Sequence, residues 1–140
     1  MHLDGFNQLD YITGAADSSP RNHFFYVSDD GDLTALRYDN WKFVFLEQRA
    51  TGTLQVWAEP YTELRFPKLF NLKTDPYERA DVTSNTYYDW VLDHVWAFVP
   101  AQAYVAQMLT TLAEFPPRQE PASFSVDKVL EKLRAGVGSA

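Results

Sequence analysis

The hydrophobic period of this chain changes once, from about two to between three and four residues, and that change decides what it can fold into. Residues 1–85 read as short strands and turns, and residues 86–135 read as helix. His23-Phe24-Phe25-Tyr26-Val27 is aromatic and β-branched, as strands prefer. Asp29-Asp30-Gly31-Asp32 then forms a turn whose glycine can take a positive φ. A second strand runs from Leu33 to Tyr38, with Leu36 and Tyr38 on one face. Asp39-Asn40 turns again into a third strand, Trp41 to Gln48, where Trp41, Phe43 and Phe45 alternate with Lys42 and Val44. After Thr51-Gly52-Thr53, Leu54-Gln55-Val56-Trp57 is the expected fourth strand. Short strands joined by tight turns give an antiparallel meander. Ahead of the meander, Leu9, Tyr11 and Ile12 fit one helical turn ended by Gly14. Beyond Pro60 the chain reads as irregular, with a short extended stretch at Leu69-Phe70-Asn71-Leu72 and a turn opening at Asp75-Pro76.

The helical half begins near Thr86. Tyr88, Val91, Leu92, Val95, Phe98 and Val99 follow the spacing of one apolar helix face, expected to lie on the sheet. Pro100 either kinks one long helix or separates two. The pattern resumes at Val105, Met108, Leu109, Leu112 and Phe115 and stops at Pro116-Pro117. Ser125 is placed to cap a last short helix carrying Val129, Leu130 and Leu133, and residues 136–140 read as a frayed tail. Strands followed by helices, rather than alternating with them, indicate α+β. The expectation is one domain over residues 1–140: an antiparallel sheet of about four strands packed against a long C-terminal helix.

Composition excludes several functions. With 46% hydrophobic and 16% aromatic residues the chain is not disordered. Its net charge of -7 disfavours nucleic acid and anionic membranes, which call for clustered Lys and Arg. The absence of cysteine removes disulfides, thiolate metal sites and Cys nucleophiles together. No apolar run approaches the roughly 20 residues of a membrane span. Met1 to Asp10 lacks the basic and apolar regions of a signal peptide. The compartment stays open.

Each candidate for chemistry has a plainer counterpart. Asp29, Asp30 and Asp32, with Asp39 nearby, offer oxygen ligands to a hard cation, but their spacing is not that of a calcium loop, and a solvated hairpin turn accounts for them. His94 follows Asp89, Trp90 and Asp93 on one helix; a catalytic dyad there lacks a placed nucleophile, so a structural histidine is the simpler reading. Trp41, Trp57, Tyr61 and Phe66 suit either a stacking platform or the core. Arg21, Arg37, Arg49 and Arg65 suit either an oxyanion or surface acids. No phosphate loop, dinucleotide fingerprint, nucleophile elbow or metalloprotease helix is present.

Four segments, in order, resemble the C-terminal portion of the type I sulfatase family, particularly bacterial arylsulfatases. His2-Leu3-Asp4-Gly5-Phe6-Asn7 with Leu9 and Thr13-Gly14 looks like a D-G-x-x-x-L…T-G stretch. Ser19-Pro20-Arg21 before Phe24-Phe25-Tyr26 resembles S-P-R…F-Y. Arg37 with Trp41-Lys42 resembles R-x-x-x-W-K, and Leu69-Phe70-Asn71-Leu72 with Asp75-Pro76 and Glu78 resembles L-[YF]-[DN]-L-x-x-D-P-x-E. The match runs from residue 2 to about residue 130. The resemblance implies a small C-terminal domain with a four-stranded antiparallel sheet and a terminal helix. It also implies a partner, the large catalytic domain, whose formylglycine nucleophile arises within C/S-x-P-x-R and whose cation, usually calcium, is held by Asp and Asn.

No serine here stands in S-x-P-x-R, since Ser18-Ser19-Pro20-Arg21 puts Pro and Arg side by side. No catalytic, cofactor or metal residue is therefore carried over, and this chain alone is expected not to hydrolyse sulfate esters. Trp41, Trp57, Arg37, Tyr88 and Trp96 are the candidates for a docking or ligand surface. Self-association is expected wherever that surface lacks its partner. The alternatives are a stand-alone module binding an anionic, sulfated or sugar ligand, and a small enzyme centred on His94.

Overall fold

In the computed structural model, which describes residues 5–116, the alternating half of the chain forms four antiparallel strands in sequential order. They are β1 (His23–Val27), β2 (Leu33–Tyr38), β3 (Trp41–Glu47) and β4 (Thr62–Asn71). One helical turn, α1 (Leu9–Ile12), precedes them and ends at Gly14, whose φ is 79°. Gly31 takes a φ of 86° in the β1–β2 turn. The β2–β3 turn has two residues, with Tyr38 facing Trp41 across it and Asp39 at a φ of 48°. Aspartate is one of the few non-glycine residues that accepts such a value.

The fourth strand is not Leu54–Trp57. That segment curls into a short helix, α2 (Gln55–Ala58), closed by Glu59 N–H to the Gln55 carbonyl at 2.8 Å. The Gln48 amide pins it by donating to the carbonyls of Val56 and Glu59. A four-residue apolar run carries too little periodicity to separate strand from helix. The place beside β3 goes to β4, whose end at Leu69-Phe70-Asn71 the sequence reads as extended and whose remainder it reads as irregular. Phe43 faces Leu69 and Trp41 faces Asn71, whereas farther along Leu46 faces Glu63, so Phe45 stands opposite an excursion of residues 64–67. Pro67 lies in that excursion. A proline cannot donate to a ladder and is tolerated on an edge strand, and β4 is the sheet's edge.

Cross-strand register places Phe25, Leu36, Phe43 and Leu69 in one row. Leu36, Phe43 and Leu69 are fully buried, each contributing on the order of 1.5–3 kcal/mol by leaving water. This row is covered by α4 (Tyr87–Asp93), a 3₁₀ turn (Val95–Ala97) and α5 (Phe98–Glu114), while α3 (Ala80–Thr83) reaches Lys68 on the other face through Asp81. Pro100 sits in the first turn of α5, where a backbone N–H would lack an intrahelical acceptor anyway. Residues 87–114 therefore form two helices, broken at residues 94–97, rather than one kinked helix. α5 ends before Pro116-Pro117 as the sequence indicates. The expected helix at Ser125 and the tail 136–140 lie outside the described residues.

The helix face on the sheet is only partly the one that periodicity suggests: Val91 and Phe98 of the expected row pack in the core, and the rest of that row does not. Tyr87, Val91, Ala97 and Ala101 are buried, with Trp90, Phe98, Tyr104 and Val105 packed against them. Tyr88, Leu92, Val95 and Val99 point outward, 53–69% exposed. Both rows are apolar at helical spacing, so periodicity could not choose between them. The choice falls to shape: small Ala97 and Ala101 allow close approach, and Phe98 meets Phe43 edge-on at 5.1 Å between ring centres.

Candidate functional site

Two of the resembling segments meet in space. Lys42, on the sheet face opposite Phe43, extends to the Glu78 carboxylate and donates to both oxygens at 2.7 and 2.8 Å. Glu78 holds a φ of 54°, an uncommon value for glutamate, and the ion pair helps retain it. Asp75 accepts the N–H groups of Arg79 and Ala80 at 3.1 and 2.8 Å, which sets the start of α3. Leu69 and Phe70 are in the core. In the earlier segment, the Ser19 hydroxyl accepts the Arg21 N–H at 3.1 Å. These residues bind one another and build the scaffold.

An aromatic assembly covers the β2–β3 end. Trp41 stacks on Trp90 with centres 6.0 Å apart and meets Trp96 edge-on at 5.4 Å. His94 lies 4.5 Å from the Trp90 ring and 5.5 Å from that of Trp41, and its Nδ1 donates to the Trp90 carbonyl at 2.7 Å. Among the described residues neither a carboxylate nor a nucleophilic side chain bonds to His94, which acts here as a wedge between tryptophans.

The other candidates separate. Trp57 is 78% exposed on α2, and among the described residues neither it nor Tyr61 touches another ring. Phe66 packs on Phe98 at 5.4 Å. Trp41, Trp57, Tyr61 and Phe66 thus do not share one platform. Tyr88 and Trp96 are exposed, as are Leu92, Val95 and Val99. Arg49 pairs with Glu47 at 2.7 Å, and Arg65 is exposed. Arg21 and Arg37 line one open groove of about 440 Å³ with Asn22, Phe24, Tyr26 and Asp39.

Asp29, Asp30 and Asp32 are exposed in a turn closed through Ser28, whose N–H donates to the Asp32 carbonyl at 2.9 Å. Among the described residues no three His, Asp or Glu side chains converge where a metal ion could be held. Among the same residues no helix is long and apolar enough to cross a membrane.

Sequence reasoning passed over two structural groups. Lys68 lies between Glu47 and Asp81, with its Nζ 2.7 Å from Asp81. Burial opposes charge on both Glu47 and Lys68, but the hydrogen bonds and ion pairs prevail, lowering the Glu47 pKa and raising that of Lys68. Tyr87 lies beside the residue that the sequence favoured, Tyr88. The only available signal was its place on the second apolar row.

The family model for the C-terminal region of aryl-sulfatase matches residues 18–133. No curated protein matches the chain.

Proposed function

Since the chain belongs to the family of aryl-sulfatase C-terminal regions, we propose that it serves as the structural subdomain of an arylsulfatase-like sulfuric ester hydrolase, docked on a catalytic domain whose nucleophile and cation lie outside these 140 residues. The outward row Tyr88, Leu92, Val95, Trp96 and Val99 carries this reading. Five exposed apolar side chains within residues 88–99 of an acidic chain favour burial against a partner, and an interface of standard size has an apolar centre. Trp96 joins the row to Trp41 in the aromatic assembly, so a docked domain would rest on a rigid part of the sheet.

Catalysis stays with the partner. Sulfate ester hydrolysis uses an activated nucleophile and stabilisation of the leaving charge. The sequence holds no formylglycine motif, and His94 is committed to the Trp90 carbonyl. The role of this chain is to hold the partner's shape and to form the rim of its pocket. Without that partner, the same row drives self-association.

An immunoblot of the source cells with an antibody against this chain tests the proposal. A band several times larger than 16.1 kDa, coincident with sulfatase activity in the same fraction, is the expected result. A band near 16 kDa alone, in fractions free of sulfatase activity, would overturn it.

A further inference from the structure

The groove between Arg21 and Arg37 has a chemistry that scaffolding does not use. Arg37 is opposite Phe24 in the β1–β2 register, on the sheet face away from α5. Its Nε donates to the Asp39 carbonyl at 3.1 Å, and the Arg21 Nε donates to the His23 carbonyl at 3.2 Å. Each guanidinium is thus oriented through Nε, while its terminal nitrogens keep their donors. Among the described residues neither arginine forms an ion pair with a carboxylate.

The groove is also braced. The Asp39 N–H donates to the Asn22 carbonyl at 3.0 Å, and the Asn22 amide donates to the Tyr104 hydroxyl of α5 at 2.8 Å. Arg21 lies over the Phe24 ring at 4.7 Å, a contact that reduces its freedom. Asp39 brings one negative charge to the groove, and it acts first on Tyr38, raising the phenol's pKa. At neighbouring His23, burial and then the charge of Arg21 lower the pKa, so a positive field is felt there.

We propose that Arg21 and Arg37 form a binding site for a small oxyanion, free or as an ester: a sulfate, phosphate or carboxylate group received by the terminal guanidinium nitrogens of both. Two preoriented planar forks match the oxygens of such a group through charge-assisted hydrogen bonds. The site lies on the sheet face opposite α5 and does not depend on the docking row.

The test is a titration of the isotope-labelled 140-residue chain with inorganic sulfate, inorganic phosphate and phenyl sulfate, at constant ionic strength, followed by amide shifts. Saturable shifts at Asn22, Phe24 and Arg37 are expected, with affinity weakened about tenfold by either Arg21→Gln or Arg37→Gln, one charge-assisted contact being worth that much. Arg49→Gln should change nothing. Arg37→Lys, which keeps the charge and the fold but loses the fork, should fall between. Preference for phenyl sulfate over the inorganic ions would identify an ester as the ligand, and equal binding would identify the free ion. Non-saturable shifts, or equal losses in the Arg49 variant, would overturn the site as general charge attraction.

Discussion

The hydroxyl of Tyr87 closes the open edge of β4 at Leu69. It accepts the Leu69 N–H at 2.9 Å and donates to the Leu69 carbonyl at 2.9 Å. One side chain thereby supplies both partners that another strand would otherwise provide. The ring meanwhile sits over Phe70, with centres 5.9 Å apart. An uncapped strand edge invites pairing with another chain, so this contact stabilises β4 and blocks the edge at the same point.

Tyr87→Phe should cost about 1–3 kcal/mol, because it leaves a buried N–H and carbonyl without partners. Urea unfolding followed by tryptophan fluorescence measures it. A change within error would mean that water replaces the phenol. Burial raises the Tyr87 pKa to about 12 from 10, against a smaller lowering by the hydrogen bond with the Leu69 backbone. The neutral phenol is the form that the fold favours. Its contribution is therefore complete below pH 10 and declines as pH rises toward 12. The Phe variant should lack this alkaline loss.

Lys68→Met should leave Glu47 and Asp81 facing each other without the cation that separates them. All three side chains are partly screened, so the cost at neutral pH should be roughly 1–2 kcal/mol. The Glu47 pKa is depressed in the native state, so its stabilising contribution is present above the ordinary carboxylate range and is lost as pH falls through the lowered value. Wild type and variant should converge at acidic pH. A constant difference from pH 7 to pH 3 in thermal melts would contradict the electrostatic account.

The double variant Leu92→Asp, Val99→Asp should leave stability within about 1 kcal/mol, as surface changes do. It should abolish concentration-dependent association in a light-scattering dilution series. Undiminished association would move the docking surface elsewhere on the chain.

Phe43→Ala should cost about 3–5 kcal/mol, because it opens a cavity between Leu36, Leu69 and Phe98. Trp57→Ala, despite removing a larger ring, should change stability by about 0.5 kcal/mol or less. Chemical denaturation of both proteins checks the contrast. Equal costs would mean that Trp57 is covered in solution.

Strand order and turn positions in residues 23–47 were legible because alternation and turn chemistry are local: Asp39-Asn40 and Gly31 mark their own turns, and Phe43 its own face. The break near Pro100 and the stop at Pro116 were legible for the same reason. The resemblance gave the family, since motifs such as Lys42 and Glu78 are fixed in sequence order. Only the tertiary structure decided which segment completes the sheet and which helix row is buried. The run at Leu54 and the strand at Thr62 compete for one edge of β3, and that competition is settled by register and by the Gln48 and Tyr87 hydrogen bonds, which reach 8 to 18 residues along the chain. The rows led by Tyr87 and Tyr88 have the same periodicity. Burial of one and exposure of the other follow from how closely Ala97 and Ala101 let the helix approach, and from the phenol that Leu69 receives. Arg21 and Arg37 likewise share a groove only because β1 and β2 pair in the register that sets Phe24 opposite Arg37.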